Sequence, residues 1–104
     1  MSGKEVILSS INVQIKNLFP EARVMLFGSR AYGVPTTESD WDILILTKQP
    51  VTHSIKNKIH DAIFPVSVQI GSFINFVAVQ EDEWVNNPTY YSLHKSISKR
   101  MIEL

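Results

Sequence analysis

The stretch from Gly28 to Asp42 reads GSRAYGVPTTESDWD, and the fold is organised around it. It separates two short apolar runs, residues 23–27 and 41–47, each of which has the composition of a buried β-strand. Gly28 ends the first run, whereas Asp40 opens the second, two positions before Asp42. Because successive side chains of a strand point to opposite faces, the two carboxylates are predicted to share one face of the sheet.

The rest of the chain alternates helical and strand patterns. Apolar side chains recur at helical spacing over residues 4–18, and Pro20 ends that pattern. A second helix is predicted to begin after an N-cap at Thr52 and to close at Phe64–Pro65. The remaining predicted elements are a brief strand or irregular segment over 67–70, a strand over 73–79, an acidic helix over 80–85 and a last helix to about Met101. This alternation predicts a small mixed α/β (α+β) domain, with helices packed on a sheet of about three to five strands.

Composition limits the class of protein. The 104 residues predict one domain, 1–104, and a hydrophobic share of 44% is that of an ordinary globular chain. Ten basic and ten acidic residues cancel, so no overall positive field favours a long nucleic acid as partner. The absence of cysteine excludes disulfides, thiolate catalysis and cysteine-ligated zinc. No apolar run is long enough to span a bilayer and no signal-peptide pattern opens the chain, so we expect no membrane association and a cytoplasmic protein.

The two carboxylates carry the clearest chemical signal. Held two positions apart on one face, Asp40 and Asp42 repel each other unless a cation lies between them. Hard oxygen ligands of this kind suit Mg²⁺, which takes one or two carboxylates and completes its shell with water and substrate phosphates. Gly28 permits a tight turn, and Ser29 offers a hydroxyl and an N–H to a phosphate, in a segment predicted as loop or a single helical turn. Two interpretations of Arg30 stay open, a phosphate contact and a surface salt bridge.

The spacing of these residues resembles a known family signature. Gly28-Ser29, then ten residues, then Asp40-x-Asp42 is similar to the signature of the polymerase-beta-like nucleotidyltransferase superfamily. The fuller string, GSRAYG followed by SDWDILIL, resembles its small stand-alone branch, the minimal nucleotidyltransferases, and the similarity extends over most of the chain. The resemblance implies the polymerase-beta-like palm fold. It also implies transfer of a nucleoside monophosphate from an NTP, with ATP the expected donor, to an acceptor hydroxyl on a protein or small molecule.

The same resemblance implies roles for individual residues and a class of partner. Asp40 and Asp42 would be the catalytic residues and would bind two Mg²⁺ ions. Gly28 and Ser29 would hold the β and γ phosphates, and Arg30 would complete the nucleotide-binding set. Some minimal members pair with a helical HEPN-type toxin and act as its antitoxin, in some cases by adenylylating it. A homodimer is a further expectation, because so short a chain leaves little protein to cover a nucleotide base.

One position departs from the family pattern. The family places a third acidic residue on a later strand, and counting back from Trp84 puts that position at Asn75. An earlier alignment would put Ser67 or Gln69 there, and all three side chains are neutral. An asparagine ligates a metal through its carbonyl oxygen but brings no charge and cannot act as a base. Three interpretations follow: catalysis is weakened, the acceptor supplies the missing group, or the domain binds a nucleotide or neutralises a partner without turnover.

Overall fold

The computed structural model describes residues 3–32, 40–97 and 101–104. Its elements are α1 (Gly3–Leu18), β1 (Arg23–Phe27), α2 (Ser29–Tyr32), β2 (Trp41–Thr47), α3 (His53–Ile70), β3 (Ile74–Gln80), α4 (Glu81–Asn86), α5 (Tyr91–Ile97) and β4 (Ile102–Glu103), with a 3-10 turn at Pro88–Tyr90 before α5. The first helix and the two strands on either side of the Gly28–Asp42 stretch are confirmed, and β3 begins one residue later than predicted.

The four strands form one mixed sheet in the order β3-β2-β1-β4. β1 and β2 are antiparallel, with Leu26 opposite Ile43. β2 and β3 are parallel and are joined by α3, because parallel neighbours need a crossover connection rather than a tight turn. The order puts β2 inside the sheet, paired on both sides. The predicted mixed α/β architecture is therefore confirmed.

Helices α1 and α3 cover one face of the sheet, which we call the first face. Alternate residues of β1 and β2 point to it, as the period-two pattern predicted. The buried side chains that pack together here are Ile11, Ile15, Phe19 and Ala22 from α1 and the turn after it, Ile59, Ile63 and Val66 from α3, and Val24, Leu26, Trp41, Ile43 and Ile45 from the sheet. Both helices therefore bury a continuous apolar stripe against the sheet and against each other.

The second face is covered by the short helices α4 and α5. Its buried cluster consists of Met25, Leu44, Leu46, Val79, Trp84 and Ile97. Tyr90, Leu93 and Met101 pack against this cluster. Two short helices cover less of a sheet than two long ones, and among the described residues this cluster does not extend to Asp42 near the start of β2.

The predicted end of the second helix is wrong. α3 does not close at Phe64–Pro65 but continues through the proline to Ile70, and Gly71 caps it in the left-handed region at φ 68°. The residues after the proline, predicted as strand or irregular, are helical as well. A proline removes one helical hydrogen bond, but Ile63 and Val66 lie buried on the first face on either side of it. Tertiary packing of that stripe outweighs the lost bond.

The start of α3 is as predicted. Thr52 is its N-cap, and the Thr52 side-chain oxygen accepts a hydrogen bond from the Ile55 N–H at 3.2 Å. Asn87 caps the 3-10 turn and Pro88 is its first residue, so the pair opens this turn before the last helix. Across the described ranges, no helix combines the length and the apolar character needed to cross a membrane.

The last helix is shorter than predicted. α5 ends at Ile97, and Met101 lies outside the helix, just before β4; the part of the predicted helix over 98–100 lies outside the described residues. β4 pairs with β1, with Ile102 opposite Leu26. The sequence did not reveal β4, because a strand of two residues carries no period that can be told from the last turn of a helix.

Candidate active site

Four of the residues that the sequence singled out, Gly28, Asp40, Asp42 and Asn75, meet at one end of the second face. Phe27 of β1 lies opposite Asp42 of β2, and Asp42 lies opposite Asn75 of β3, so the three form one row across the sheet. The next row inward contains Leu44, which is fully buried beneath the short helices. Asp42 and Asn75 belong to neither buried cluster. The row therefore lies at the edge of the buried sheet, with Asp42 half-buried and Asn75 exposed.

Asp40 is held beside the same row by backbone pairing. The Trp41 N–H donates to the Phe73 carbonyl oxygen at 2.9 Å, which continues the β2–β3 ladder to the last residue before β3. Asp40 precedes Trp41 and is half-buried, as Asp42 is, whereas Asn75 is exposed. The predicted shared face of the two carboxylates is consistent with this placement, because one side chain, that of Asn75, contacts both of them.

Gly28 lies directly against the carboxylate of Asp42. Its φ of 78° is in the left-handed region, which glycine adopts without strain. A Cβ at this position would come 3.3 Å from the Asp42 Cβ and 3.1 Å from its Cγ, and it would collide with its Oδ2. The Gly28 carbonyl oxygen accepts a hydrogen bond from the Ala31 N–H at 3.0 Å, which turns the chain into α2. Glycine is therefore required here both by the backbone and by the neighbouring carboxylate.

Asn75 bridges the two carboxylates. Its Nδ2 donates to Asp40 Oδ2 at 2.9 Å, and a longer contact of 3.4 Å joins the same nitrogen to Asp42 Oδ1. The position that counting back from Trp84 selected is thus the one beside the carboxylate pair. Ser67 and Gln69, the positions of the alternative alignment, lie in α3. The side chain across from Asp42 on β3 is neutral, as the sequence predicted.

The surroundings of Asp42 disfavour its charged form. Partial burial raises the pKa of Asp42, and the nearby charge of Asp40 raises it further, whereas the hydrogen bond from Asn75 lowers it. Ionised Asp42 is therefore an unfavourable feature of the fold that an opposite charge would relieve. In this respect Asp42 differs from a carboxylate at a solvated strand end, whose charged form is not disfavoured.

Ser29 and Arg30 begin α2, directly after Gly28. The side chains of Ser29 and Tyr32 lie outside the described part of the structure. The Arg30 guanidinium carbon lies 4.2 Å from the centroid of the Trp41 ring, which is a cation–π contact. This contact was neither of the two interpretations that the sequence left open. The sequence carries no signal for it, because the two residues are neither neighbours in the chain nor at helix or strand spacing.

The oxygen ligands at the site suit Mg²⁺. Within the described residues, no group of three or more histidine, aspartate or glutamate side chains could hold a metal ion. The site therefore offers two carboxylates and, if the Asn75 amide turns, one neutral carbonyl oxygen. Mg²⁺ is commonly bound in this way, with water and substrate phosphates completing its shell. The rise in the pKa of Asp42 fits the same ion, since a cation between the carboxylates would reverse it.

Comparison with known proteins agrees with this geometry. The family model described as a nucleotidyltransferase domain matches residues 8–101 of the 104-residue chain. The match includes α3, all of β1 to β3 and the Gly28–Asp42 stretch. No curated protein matches the chain. Because the family model covers nearly the whole chain, and the sheet and helices are those of that fold, the protein belongs to the nucleotidyltransferase domain family.

Proposed function

We propose that this domain transfers a nucleoside monophosphate, AMP from ATP in the first instance, to a hydroxyl of a protein or small molecule in the presence of Mg²⁺. The acceptor oxygen forms a bond to the α-phosphorus, the bond from that phosphorus to the bridging oxygen breaks, and pyrophosphate leaves with that oxygen. The hydroxyl proton passes to solvent or to a group of the acceptor, because Asn75 is not a base. The observation that carries the proposal is the carboxylate pair at the end of β2, held against the left-handed turn at Gly28.

Each residue of the site has a part in this proposal. Asp40 and Asp42 bind the cation, which when present neutralises phosphate charge and orients the triphosphate for in-line attack. Gly28 lets the phosphate chain approach the backbone closely, since it has no side chain to exclude it. The backbone N–H groups of Ser29 and Arg30, at the start of α2, are donors to the β and γ phosphates. Their placement next to Gly28 supports the nucleotide-binding role expected of both residues.

The acceptor and the partner follow from charge and from family resemblance. Ten basic and ten acidic residues leave no net charge to hold a long nucleic acid, which favours a protein or small molecule as acceptor. A helical HEPN-type toxin is the proposed protein partner, with this domain as its antitoxin, and the cytoplasm is the proposed location. A homodimer is the other way in which the nucleotide base would be covered. Co-purification with a HEPN-type protein tests the first arrangement, and mass measurement in solution tests the homodimer.

The carboxylates provide the test of the proposed function. We expect Asp42→Asn to lose Mg²⁺-dependent ATP binding and to lower transfer on the order of 100-fold or more, because a group that stabilises developing charge is removed. Calorimetric titration of ATP, with and without Mg²⁺, measures the binding. Asp61→Asn is the matched control, since the side chain of Asp61 is 82% exposed on α3, where it contacts His60.

The stability of the variant separates loss of the site from loss of the fold. At neutral pH the ionised form of Asp42 is disfavoured by the fold, because its pKa is raised. The neutral amide of Asp42→Asn removes that cost, so we expect urea denaturation to find the variant as stable as wild type, or more stable. Binding that survives in Asp42→Asn, or a variant that unfolds, would contradict the site assignment.

A second function is favoured by one observation, the neutral side chain of Asn75 beside both carboxylates. In this alternative the domain binds a nucleotide, or neutralises a partner, with weakened or absent turnover. Asn75→Asp discriminates between the two functions in a transfer assay with labelled ATP. A rise in transfer favours the weakened module, and no change favours a full enzyme that works by another route.

A further inference from the structure

An apolar surface lies where the second half of α3 turns into β3. Phe64, Val68 and Phe73 are 54%, 65% and 78% exposed, and all three line one groove of about 390 Å³ formed by residues between 60 and 74. The ring of Phe64 stacks on that of His60, with 5.6 Å between the ring centroids. We call this groove and its rim the α3–β3 face. Large apolar side chains grouped in this way, rather than scattered singly, mark a surface that another molecule covers.

The α3–β3 face is free of charge. The stretch 62–80 contains no aspartate, glutamate, lysine, arginine or histidine, so all ten basic and all ten acidic residues lie elsewhere in the chain. The nearest titratable groups in the sequence are at the rim of the groove, where His60 Nδ1 lies 3.5 Å from Asp61 Oδ1. A partner recognised by charge would require charge here. A two-fold contact brings the same patch of both copies together, and a neutral patch can meet itself without repulsion.

The two edges of the sheet differ in how they are protected. β3 and β4 are the outermost strands. β4 is only two residues long, and its Glu103 pairs with Arg23 of the neighbouring strand. β3 is seven residues long and contains neither a charge nor a proline. Exposed edges are usually blunted by short strands, charges or prolines, and among the described residues no strand pairs with the outer side of β3. We therefore expect the β3 edge to be covered when the protein is assembled.

We propose that the α3–β3 face binds a second copy of this chain across a two-fold axis, with the Phe73 ring of each copy in the groove of the other. A contact of this symmetry needs a projecting group and a receiving groove on one surface, and this face has both. Aromatic side chains set into pockets are the usual anchors of such interfaces. The inference rests on the proposed function only in that it names the face of the homodimer given there.

The location of this face links the dimer to the candidate site. The Phe73 carbonyl oxygen accepts from the Trp41 N–H, and Trp41 directly follows Asp40. Asn75, which donates to Asp40, is two residues farther along the chain than Phe73. A second copy bound at Phe73 therefore lies beside the carboxylate pair on the side of β3. It would supply the additional wall that a chain of 104 residues lacks.

The mass in solution tests the proposal. We expect sedimentation equilibrium of the full chain, without nucleotide, to find the mass of two chains. Phe73→Asp should raise the dimer dissociation constant about tenfold or more, because it puts a charge into an apolar contact. Tyr91→Asp is the matched control, since Tyr91 is an aromatic residue of α5, outside this face, and is 66% exposed. Wild type that is monomeric at every concentration, or Phe73→Asp that associates as wild type does, would overturn the proposal.

A spin label identifies the face independently of Phe73. The chain has no cysteine, so Ser72→Cys, at the groove, provides a single position for a nitroxide label. Mixed with ¹⁵N-labelled wild type, this variant should broaden the amide signals of residues 63–74 in the other copy. A label at Ser54→Cys, in the first turn of α3, should broaden them less. Broadening confined to α4 and α5 would overturn the proposal, because the copies would then meet through another surface.

The dimer and the proposed transfer can fail separately. If the protein is monomeric but still binds ATP with Mg²⁺ in calorimetric titration, the dimer proposal is overturned and the proposed function stands. The α3–β3 face would then be left to a different protein. If the copies associate through this face but ATP does not bind, the proposed function fails and the dimer stands.

Discussion

The two faces of the sheet differ in how completely they are covered. On the first face, the long helices α1 and α3 bury every sheet residue of the cluster, from Val24 to Ile45. On the second face, the buried cluster beneath α4 and α5 includes Leu44 and Leu46 but not Asp42, although Phe27 of the same row packs against it. Alternate side chains of β2 point to the first face and to the second face.

The difference explains where the candidate site lies. A carboxylate cannot be sealed in an apolar interior without a large cost, so a pair of them needs solvent or a cation on at least one side. The first face holds β2 in place by packing, whereas Asp40 and Asp42 are only half-buried. A sheet residue can thus be fixed in position from behind while its side chain remains free to bind a ligand.

The largest expected effect compares the two faces directly. Ile45 and Leu44 are adjacent, fully buried and on opposite faces. We expect Ile45→Ala and Leu44→Ala each to lower the free energy of unfolding by about 2 to 5 kcal/mol, through lost transfer energy and a residual cavity. Ile45→Ala should cost more, because the short helices α4 and α5 can move to fill a cavity more readily than α1 and α3.

Urea denaturation of both variants measures this difference in stability, and nucleotide titration measures the effect of each variant on binding. Leu44 is two residues from Asp42 on the same face, so Leu44→Ala should weaken Mg²⁺-dependent nucleotide binding more than Ile45→Ala does. Equal stability losses together with equal binding would contradict the view that the two faces are covered differently.

The next effect concerns the glycine behind the carboxylate. In Gly28→Ala, a residue with a side chain must adopt the left-handed conformation, which costs about 1 to 2 kcal/mol of stability. Its Cβ would also collide with the carboxylate of Asp42. Gly71→Ala is the matched control, because its φ of 68° is similar but nothing lies within 4 Å of its added Cβ. We expect Gly28→Ala to be the less stable variant and to be the one that loses nucleotide binding. If the two variants behave alike in thermal unfolding and in titration, Gly28 has no role beyond its turn.

The smallest effect is expected at an exposed ion pair between β1 and β4. The Arg23 guanidinium donates to Glu103 at 2.8 Å, and this hydrogen bond lowers the pKa of Glu103 from its ordinary 4.5. Both side chains are about half exposed, so Glu103→Gln should cost less than about 1 kcal/mol at neutral pH. A lowered pKa contributes stability above its ordinary value, and that contribution is lost as pH falls through the folded value.

The prediction for Glu103 is therefore dependent on pH. Urea denaturation of wild type and Glu103→Gln should show a small difference at pH 7 that disappears in more acidic solution, below the ordinary pKa of 4.5. High salt at pH 7 should reduce the difference too, since exposed ion pairs are screened. A difference that persisted in acid would show that the variant acts through packing rather than charge.

Much of the fold could be predicted, and the failures have physical causes. The strands around Gly28–Asp42 were readable because a buried strand is a short apolar run between turn residues. The end of α3 was not, because Pro65 is a strong local stop signal that the buried stripe on either side of it overrides. β4 was not readable either, because its two residues are a strand only through their pairing with β1.

The candidate site could likewise be predicted from the sequence only in part. The sequence by itself determined that Asp40 and Asp42 share a face and that a glycine ends the strand before them, because these follow from strand period and turn chemistry. It also determined that the third position would be neutral. Only the tertiary structure decided that Asn75 donates to both carboxylates and that Gly28 lies against Asp42. Those contacts depend on the register between strands, which is set by the packing of whole elements and not by any local pattern.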